Sequence, residues 1–412
     1  MSPRALVVVA ILLAMFMSAM EATVVATAMP TVVADLRGLD LYGWVGAVYT
    51  LASTLTIPFW GRASDLRGRR PTMLAGIAAF LLGSLLSGAA GSMAFLVAAR
   101  ALQGVGAGAL QTVPLTIVGD LFRVEERGRL QAAFGAVWGS AAVAGPLLGG
   151  VIVRALSWRW VFYVNLPVGL LCAVMLVAFF HEQRAHEGAA TTQESAWNVL
   201  RLPVVVVANL ASLVTGAAMM ATLFFLPLYA QGARGVSPTE AGAAVAPMLV
   251  GWPLASTFSG RTLPRLGARM LVRVGTATVL VGTAGLFAFV RADAAISWLQ
   301  AAVFVYGVGM GLSTPAMIIA VQESVSWAQR GSATASTLFF RSVGGATAVG
   351  ALGSVLSRSL AGRVDEDKLN TLLGPMRGHG LRAAEVASLT TAMGASMCAL
   401  FGAVAAFGAA AW

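Results

Sequence analysis

The chain has 412 residues, 58% of them hydrophobic and only 11% charged, with a mean hydropathy of +0.81. A soluble protein of this size needs more polar surface, and the ~10-residue alternating segments of an outer-membrane barrel are absent, so lipid is the solvent for most of this chain. The net charge of +10 is spread over loops rather than gathered into one patch or tail, which argues against a nucleic-acid partner.

Apolar stretches of about 20 residues recur from end to end, each long enough to cross a ~30 Å bilayer core as a helix. Helices are required there because no water satisfies the backbone. Twelve spans are expected, near 5–29, 42–60, 72–90, 94–118, 129–152 and 160–180, then 204–229, 240–259, 271–290, 296–320, 332–355 and 387–411. The first is too long for a signal-peptide core and is read as an uncleaved span. Polar residues 181–203 form a linker that divides the chain into an N-terminal six-helix bundle, 1–180, and a C-terminal one, 204–412. The polar segment 356–386 is read as a solvated outer loop. Arg is concentrated in the N-terminus, loops 61–71 and 119–128, the linker, and loops 260–270 and 321–331. That bias places both termini and the linker in the cytoplasm, with the chain in the inner membrane. Cys172 and Cys398 fall inside apolar spans and are read as small buried hydrophobes, with no disulfide or metal site.

The two halves repeat one another. "GRASDLRGRR" at 61–70 matches "GRTLPRLGAR" at 260–269, "GVGAG" at 104–108 matches "GVGMG" at 307–311, and "ERGRLQA" at 126–132 matches "QRGSATA" at 329–335. The offsets are 199, 203 and 203, and three matches in order at nearly one offset are hard to obtain by chance even with 46 glycines. Two parallel six-span repeats, related by a pseudo-two-fold axis along the membrane normal, are the layout of secondary transporters with a site between the halves.

Several segments carry a more specific likeness. "GRASDLRGRR" holds Gly61, Asp65, Gly68, Arg69 and Arg70. "RALQGVGAG" holds Arg100, Gln103, Gly104 and Gly108, and "GSAAVAGPLLGG" holds Gly139, Gly145, Pro146, Gly149 and Gly150. With "WRWVFYVNLPVG" at 158–169, "LPLYAQGARGVSP" at 226–238 and "MEATVVATAMP" at 20–30, these resemble the motifs of the major facilitator superfamily. The likeness is greatest to its drug:proton antiporter branch, which usually has fourteen spans. It covers nearly the whole chain. Three departures stand out: Leu66 replaces an Arg usual in the loop motif, Glu21 replaces an Asp, and a linker of about 23 residues leaves no room for two further spans. The resemblance implies an all-α major facilitator fold, a gating latch in loop 61–71 built on Gly61, Asp65, Gly68, Arg69 and Arg70, and an antiporter mark at Gly145, Pro146 and Gly149. By their physics alone the latter three also describe a plain packing seam, and Asp65 with its Arg neighbours a surface anchor.

Glu21 is the sharpest anomaly. It is the single ionisable side chain between Ala5 and Ala34, and a carboxylate at a helix centre costs ~3 kcal/mol on insertion scales. Counting along spans one and four places Glu21 and Arg100 at comparable depth in the outer half, where they can pair or share a wet pocket. Burial penalises the charged acid and a nearby Arg favours it, so a movement that alters that balance makes Glu21 a proton-coupling group with Arg100. A fixed bridge without titration is the alternative. Arg341 lies near the midplane of span eleven with no acid of the second half at its depth. Glu240 completes a capping box with Ser237 at the start of span eight, and Glu323 lies at a span end. Two buried arginines against one glutamate suit anionic or neutral amphiphiles; the alternative is an Arg341 bonded to carbonyls at a helix break. Met17, Met20, Trp138, Trp252 and Tyr306 fall at intermediate depth on spans that line the cavity in the resembled superfamily, and with Arg341 they are the candidate substrate-cavity residues, though each taken singly also suits core packing.

The expected function is proton-coupled export of lipophilic or amphiphilic small molecules by alternating access. A lipid or lipid-conjugate transporter on the same scaffold is the second reading, and a non-transporting membrane sensor the third. An enzyme is disfavoured, because His181, His186 and His379 all lie in polar loops and no nucleophile–base or metal spacing occurs. No cofactor is expected beyond protons as the coupling ion. The expected partners are a small-molecule or lipid-like substrate and the bilayer, with the chain acting as a monomer.

Overall fold

A computed structural model describes residues 3–37, 41–181, 199–234, 236, 238–360 and 402. All of the expected twelfth span but residue 402, with Cys398, most of the linker and of loop 356–386, and His186, His379 and Ser237 lie outside the described residues. Among the described residues every regular element is helical. In chain order these are α1 Pro3–Leu36, α2 Tyr42–Arg67, α3 Arg69–Gly88, α4 Met93–Leu121, α5 Val124–Ala155, α6 Trp160–Tyr163 and α7 Asn165–Phe179. There follow α8 Pro203–Gly232, α9 Pro238–Ala243, α10 Ala246–Arg291, α11 Ile296–Glu323, a 3₁₀ turn Trp327–Gln329, and α12 Arg330–Leu360.

Seven helical stretches among the described residues are long and apolar enough to cross a bilayer: Pro3–Val25, Arg69–Gly88, Met93–Leu121, Trp160–Phe179, Pro203–Ala230, Glu240–Arg291 and Ile296–Glu323. The helices over expected spans two, five and eleven are 26, 32 and 31 residues long, ample to cross at ~1.5 Å per residue. Their Gly, Ser and Thr content and their Arg and acidic residues keep them below that mark. Small residues of this kind also let neighbouring helices approach closely.

The chain packs as two compact units. One comprises residues up to Val206 with Ile318–Phe339, the other Val207–Met317 with the residues from Phe340 onward. In the first, α4 lies against α2 and α3, and α1 lies against α5 and α7. Glycines set these distances. A Cβ at Gly104 or Gly108 would overlap α2 at Tyr49 and Thr56, and one at Gly106 would overlap α3 at Phe80. The second unit repeats the device at an offset of 203: Gly307 and Gly311 meet Met248 and Trp252 of α10, and Gly309 meets Val279 beyond the kink in the same helix. One alternating glycine face per repeat therefore packs two neighbours at backbone contact.

The sequence predicts loops at 61–71 and 260–270; the structure reduces each to a single glycine. Helix runs through Arg67 and resumes at Arg69, with only Gly68 out of line at φ 96°, ψ 162°. Likewise α10 is broken only at Gly267, with φ 73°, ψ 156°. Each is the eighth residue of its ten-residue segment, and a positive φ is the conformation that glycine adopts without steric cost. Expected span six also begins differently. Pro167 has no N–H to bond the Tyr163 carbonyl, and the helix is interrupted there into α6 and α7, with Asn165 at the junction.

Candidate functional site

Inside the first unit, Glu21 of α1 and Arg100 of α4 form an ion pair of 2.5 Å, and the two side chains are 0% and 1% exposed. The pair's hydrogen-bond and ring contacts hold it in place. Asn165 Nδ2 donates to Glu21 Oε2 at 2.7 Å, and Arg100 donates to Gln103 Oε1 at 2.6 Å and to the Val45 carbonyl at 3.3 Å. Ser84 Oγ accepts from Asn165 at 2.9 Å and from Gln103 at 3.2 Å, and donates to the Phe162 carbonyl at 2.8 Å. The guanidinium lies 4.2 Å from the Tyr49 ring centroid, a cation–π distance. The Tyr49 hydroxyl is tied in turn to the Ser18 carbonyl at 3.2 Å. One buried carboxylate thus joins α1 to α4 and α7, with α2 and α3 holding the second layer. Asn165 Oδ1 alone is buried without a donor.

A second charged cluster in the same unit surrounds Gly68. Asp65 accepts from the backbone N–H groups of Gly331 and Ser332 at 2.8 and 2.7 Å and from the Ser332 hydroxyl at 2.7 Å. Those amides open α12, so the carboxylate caps a helix N-terminus, where unpaired donors and the helix dipole both favour an anion. Arg69 is 1% exposed and bonds Asp120 at 2.7 Å, Asp65 at 3.1 Å, and the Ser64 and Trp327 carbonyls at 2.7 Å each, while stacking 4.0 Å from the Trp327 ring. Arg330 reaches Asp120 at 3.3 Å and the Gly119 carbonyl at 3.1 Å, and Arg127 reaches Glu323 at 2.6 Å. Gly61 packs so closely on α12 that a Cβ would overlap Ala335. Arg70 stands apart, half-buried and donating to the Val177 carbonyl at 2.8 Å.

The remaining candidates separate. Gly145 and Gly149 face Thr23 and Thr27 of α1, and a methyl on either would overlap a Thr hydroxyl. Thr23 in turn donates to the Ala141 carbonyl at 3.1 Å. Pro146 continues α5 between them. Met17 and Met20 are buried in the cores of the first unit, and Tyr306 in that of the second, where its hydroxyl donates to the Thr215 carbonyl at 3.1 Å. Trp252 packs partly buried on that second core. Trp138 is 42% exposed. Arg341 is partly buried on α12, beside Tyr306 and Gly216 of the second unit.

Sequence reasoning did not find Ser84, Asn165, Asp120, Arg127, Glu323 or Arg330 as members of these clusters. Asn165 carried a usable signal, an amide two residues before a proline inside an apolar run. Asp120 and Arg330 look like ordinary span-end charges, and only the fold brings them to Arg69.

The model of the family described as Major Facilitator Superfamily matches residues 11–349. The chain is similar, at 32% identity over 89% of its length and 78% of the relative's, to the multidrug transporter protein MdtP of Bacillus subtilis. It is also similar, at 31% identity over 90% of its length and 82% of the relative's, to multidrug resistance protein 3 of the same organism. Among solved structures, the human organic anion transporter MFSD10 (TETRAN) matches with a TM-score of 0.70 at 16% identity, covering 99% of this chain and 100% of that one. The proton:xylose symporter XylE matches with 0.69 at 14%, covering 96% and 94%. At such identities the structural matches speak for the fold alone. With the helical repeats described above, these likenesses make the chain a multi-pass membrane transporter of small molecules and not an enzyme, and it belongs to the Major Facilitator Superfamily.

Proposed function

We propose that the protein is a proton-coupled exporter of lipophilic or amphiphilic small molecules, working by alternating access from a monomer in the inner membrane with both termini cytoplasmic. The observation that carries this reading is the Glu21–Arg100 pair, a titratable group sealed among helices α1, α4 and α7. Its relatives' names, a multidrug transporter and a multidrug resistance protein, support the export of varied apolar compounds.

The proposed cycle follows from the contacts. With Glu21 charged, Arg100 and Asn165 pull α1 against α4 and α7. A proton on Glu21 removes the charge–charge attraction and turns one carboxylate oxygen into a donor. The Asn165 amide, turned over, offers its otherwise unused Oδ1 to that proton. Arg100 keeps Gln103, the Val45 carbonyl and the Tyr49 ring, so it stays solvated by the protein when its partner is neutral. The acid can therefore change charge without leaving a bare cation behind. A membrane potential of 100 mV supplies ~2.3 kcal/mol per proton, enough for a roughly fifty-fold gradient with one titrating group. Asp65 at the start of α12 supplies the gating contact, because the N-terminal amides it caps can be released without unfolding the helix.

The experiment is transport in proteoliposomes with an imposed pH gradient. Glu21→Gln keeps the shape and mimics the protonated acid. It should abolish uphill accumulation while leaving downhill exchange of a neutral amphiphile intact. Uphill transport at the wild-type rate would show that Glu21 is a structural bridge and that coupling lies elsewhere.

A further inference from the structure

The two arginines at membrane depth are treated in opposite ways by the fold. Arg100 has a carboxylate, a side-chain amide, a carbonyl and two aromatic rings around it. Arg341 stands eleven residues into α12, about 16 Å from the helix start. Among the described residues no carboxylate, amide or carbonyl accepts from its guanidinium. Nor does the sequence hold a spare acid at that depth. From residue 204 onward the acids are Glu240, Asp293, Glu323, Asp365, Glu366, Asp367 and Glu385. Glu240 opens α9, Asp293 is bound by Arg234 at the end of α10, and Glu323 ends α11. The four others lie between 360 and 386, so the expected span 387–411 contains no acid.

Packing fixes where this cation stands. Gly216 of α8 lies against Arg341 itself: a Cβ there would overlap the Arg341 carbonyl and come within 2.9 Å of its Cγ. Three residues on, Gly344 presses on the Leu213 carbonyl, so α8 and α12 are locked at backbone contact around the arginine. Tyr306 of α11 is its electrostatic neighbour, but the Tyr306 hydroxyl proton is committed to Thr215. Apolar Leu213 and Met220 of α8 line the same seam, against Gly344 and Gly345, and the polar side chains buried on the adjoining turns, Ser212, Thr215 and Thr337, are neutral. A partly buried guanidinium with no counterion among the described residues is costly unless an anion arrives from outside the chain.

We propose that Arg341, framed by Gly216 and Tyr306, is the recognition site for the acidic head group of the transported molecule, a carboxylate or sulfonate carried on an apolar body. The assignment rests on the transporter reading above and narrows it from amphiphiles in general to amphiphilic acids. The planar fork of arginine suits a two-oxygen anion, and the apolar wall takes the tail. Cationic amphiphiles are disfavoured at the same place by like charge.

The test is equilibrium binding to the full chain in nanodiscs, using fluorescent 11-(dansylamino)undecanoate and its methyl ester as probes. Wild type should bind the acid more tightly than the ester, and decanesulfonate should displace the acid while decanol does not. Arg341→Gln should weaken the acid roughly tenfold or more, the scale of a lost charge-assisted contact, and leave ester binding nearly unchanged. Arg341→Lys should recover part of the loss, since it restores charge but not the fork. Ester binding doubles as the control for folding, and the competition on wild type stands even where a variant fails to fold. Equal affinity of wild type for acid and ester, or equal losses of both in Arg341→Gln, would overturn the proposal. Because binding is read without a gradient, a protein that selects the acid but never accumulates it would sink the transport reading and spare this site. Uphill transport of neutral amphiphiles with no preference for the acid would do the reverse.

Discussion

Gly68 and Gly267 break their helices with nearly the same dihedral angles at matching places in the two repeats, but the chemistry around them has little in common. Around Gly68 stand Asp65, Arg69, Asp120 and Arg330, locked into a network that holds the start of α12. Around Gly267 the positions that match Asp65 and Arg69 are Pro264 and Ala268, and Arg261, Arg265, Arg269 and Arg273 all point outward, exposed. The same contrast recurs deeper in the helices. Arg100 and Gln103 of α4 correspond to Val303 and Tyr306 of α11. Gly83 packs on the Gln103 backbone as Gly282 packs on that of Tyr306. The two repeats therefore share their backbone packing, glycine by glycine, and differ in the side chains around it. The first repeat holds the paired charges, and the second an apolar core with an arginine, Arg341, that has no paired acid among the described residues.

The largest expected effect tests that divergence directly. Replacing Arg100 by Met strands the buried Glu21 carboxylate and should cost about 3–5 kcal/mol of stability, measured by denaturant unfolding in detergent. The matching change in the second repeat, Val303→Ala, removes only apolar contact and should cost about 2 kcal/mol. The double variant Glu21→Gln with Arg100→Met should recover much of the loss, because no buried charge is then left unpaired. Equal costs at positions 100 and 303 would mean that the pair is not the organising feature of the first repeat.

Next comes the network at Gly68. Asp65→Asn removes the anion from the start of α12 and one of the two carboxylates paired with Arg69, an expected loss of about 1–3 kcal/mol. Its functional readout is the distance distribution between spin labels on the ends of the two halves that carry Gly68 and Gly267, which should shift. Distributions that stay unchanged at every pH would remove Asp65 from gating. In the second repeat Ala268→Arg should change stability by no more than about 0.5 kcal/mol, since nothing there is arranged to receive it.

The glycines themselves give a third comparison. Gly267 has no heavy atom within 4 Å of an added Cβ, so Gly267→Ala tests backbone conformation with no steric clash, and about 1–2 kcal/mol should be lost. A neutral Gly267→Ala in thermal unfolding would show that the kink is not held at positive φ.

These contrasts also explain what could be read from the sequence. Helices, the repeat and the Glu21–Arg100 pair were legible because hydropathy, spacing and helix geometry are local or periodic properties. Depth counting alone put Glu21 and Arg100 at the same level. Loops 61–71 and 260–270 were overestimated, because charge density suggests a turn while a single glycine with positive φ is enough to make one. Asn165 and Ser84 stayed hidden for another reason. Neutral polar residues leave no charge anomaly in an apolar span, and only three-dimensional packing shows that they complete the solvation of a carboxylate. Asp120 and Arg330 are separated by 210 residues, and no periodicity links them.

The smallest effect lies where α1 ends. Asp35 accepts from the Trp158 indole at 2.9 Å and from Arg159 at 2.8 Å, and Arg159 also donates to the Ala90 carbonyl at 3.1 Å. The indole hydrogen bond, followed by that of Arg159, holds the Asp35 carboxyl below its ordinary value. The sign of the linkage follows. An acid whose folded value is depressed contributes stability above its unfolded value, near 3.9, and loses it as the pH falls through the lower folded value. The group is exposed, so solvent screens the pair and the contribution is small. Comparing the melting temperatures of wild type and Asp35→Asn between pH 7 and pH 3 isolates it. The difference should be constant above about pH 4.5 and shrink below about pH 4, where the wild-type acid takes up its proton. In the second unit the counterpart strap, Arg234 with Asp293, also donates to the carbonyls of Asp293 and Ala294 at 2.9 and 2.7 Å. Arg234 therefore keeps two neutral acceptors when its acid is removed, and Asp293→Asn should lower the melting temperature less than Asp35→Asn does at pH 7. A larger effect at Asp293 would mean that this strap, unlike the buried pair, is a charged feature that both repeats rely on.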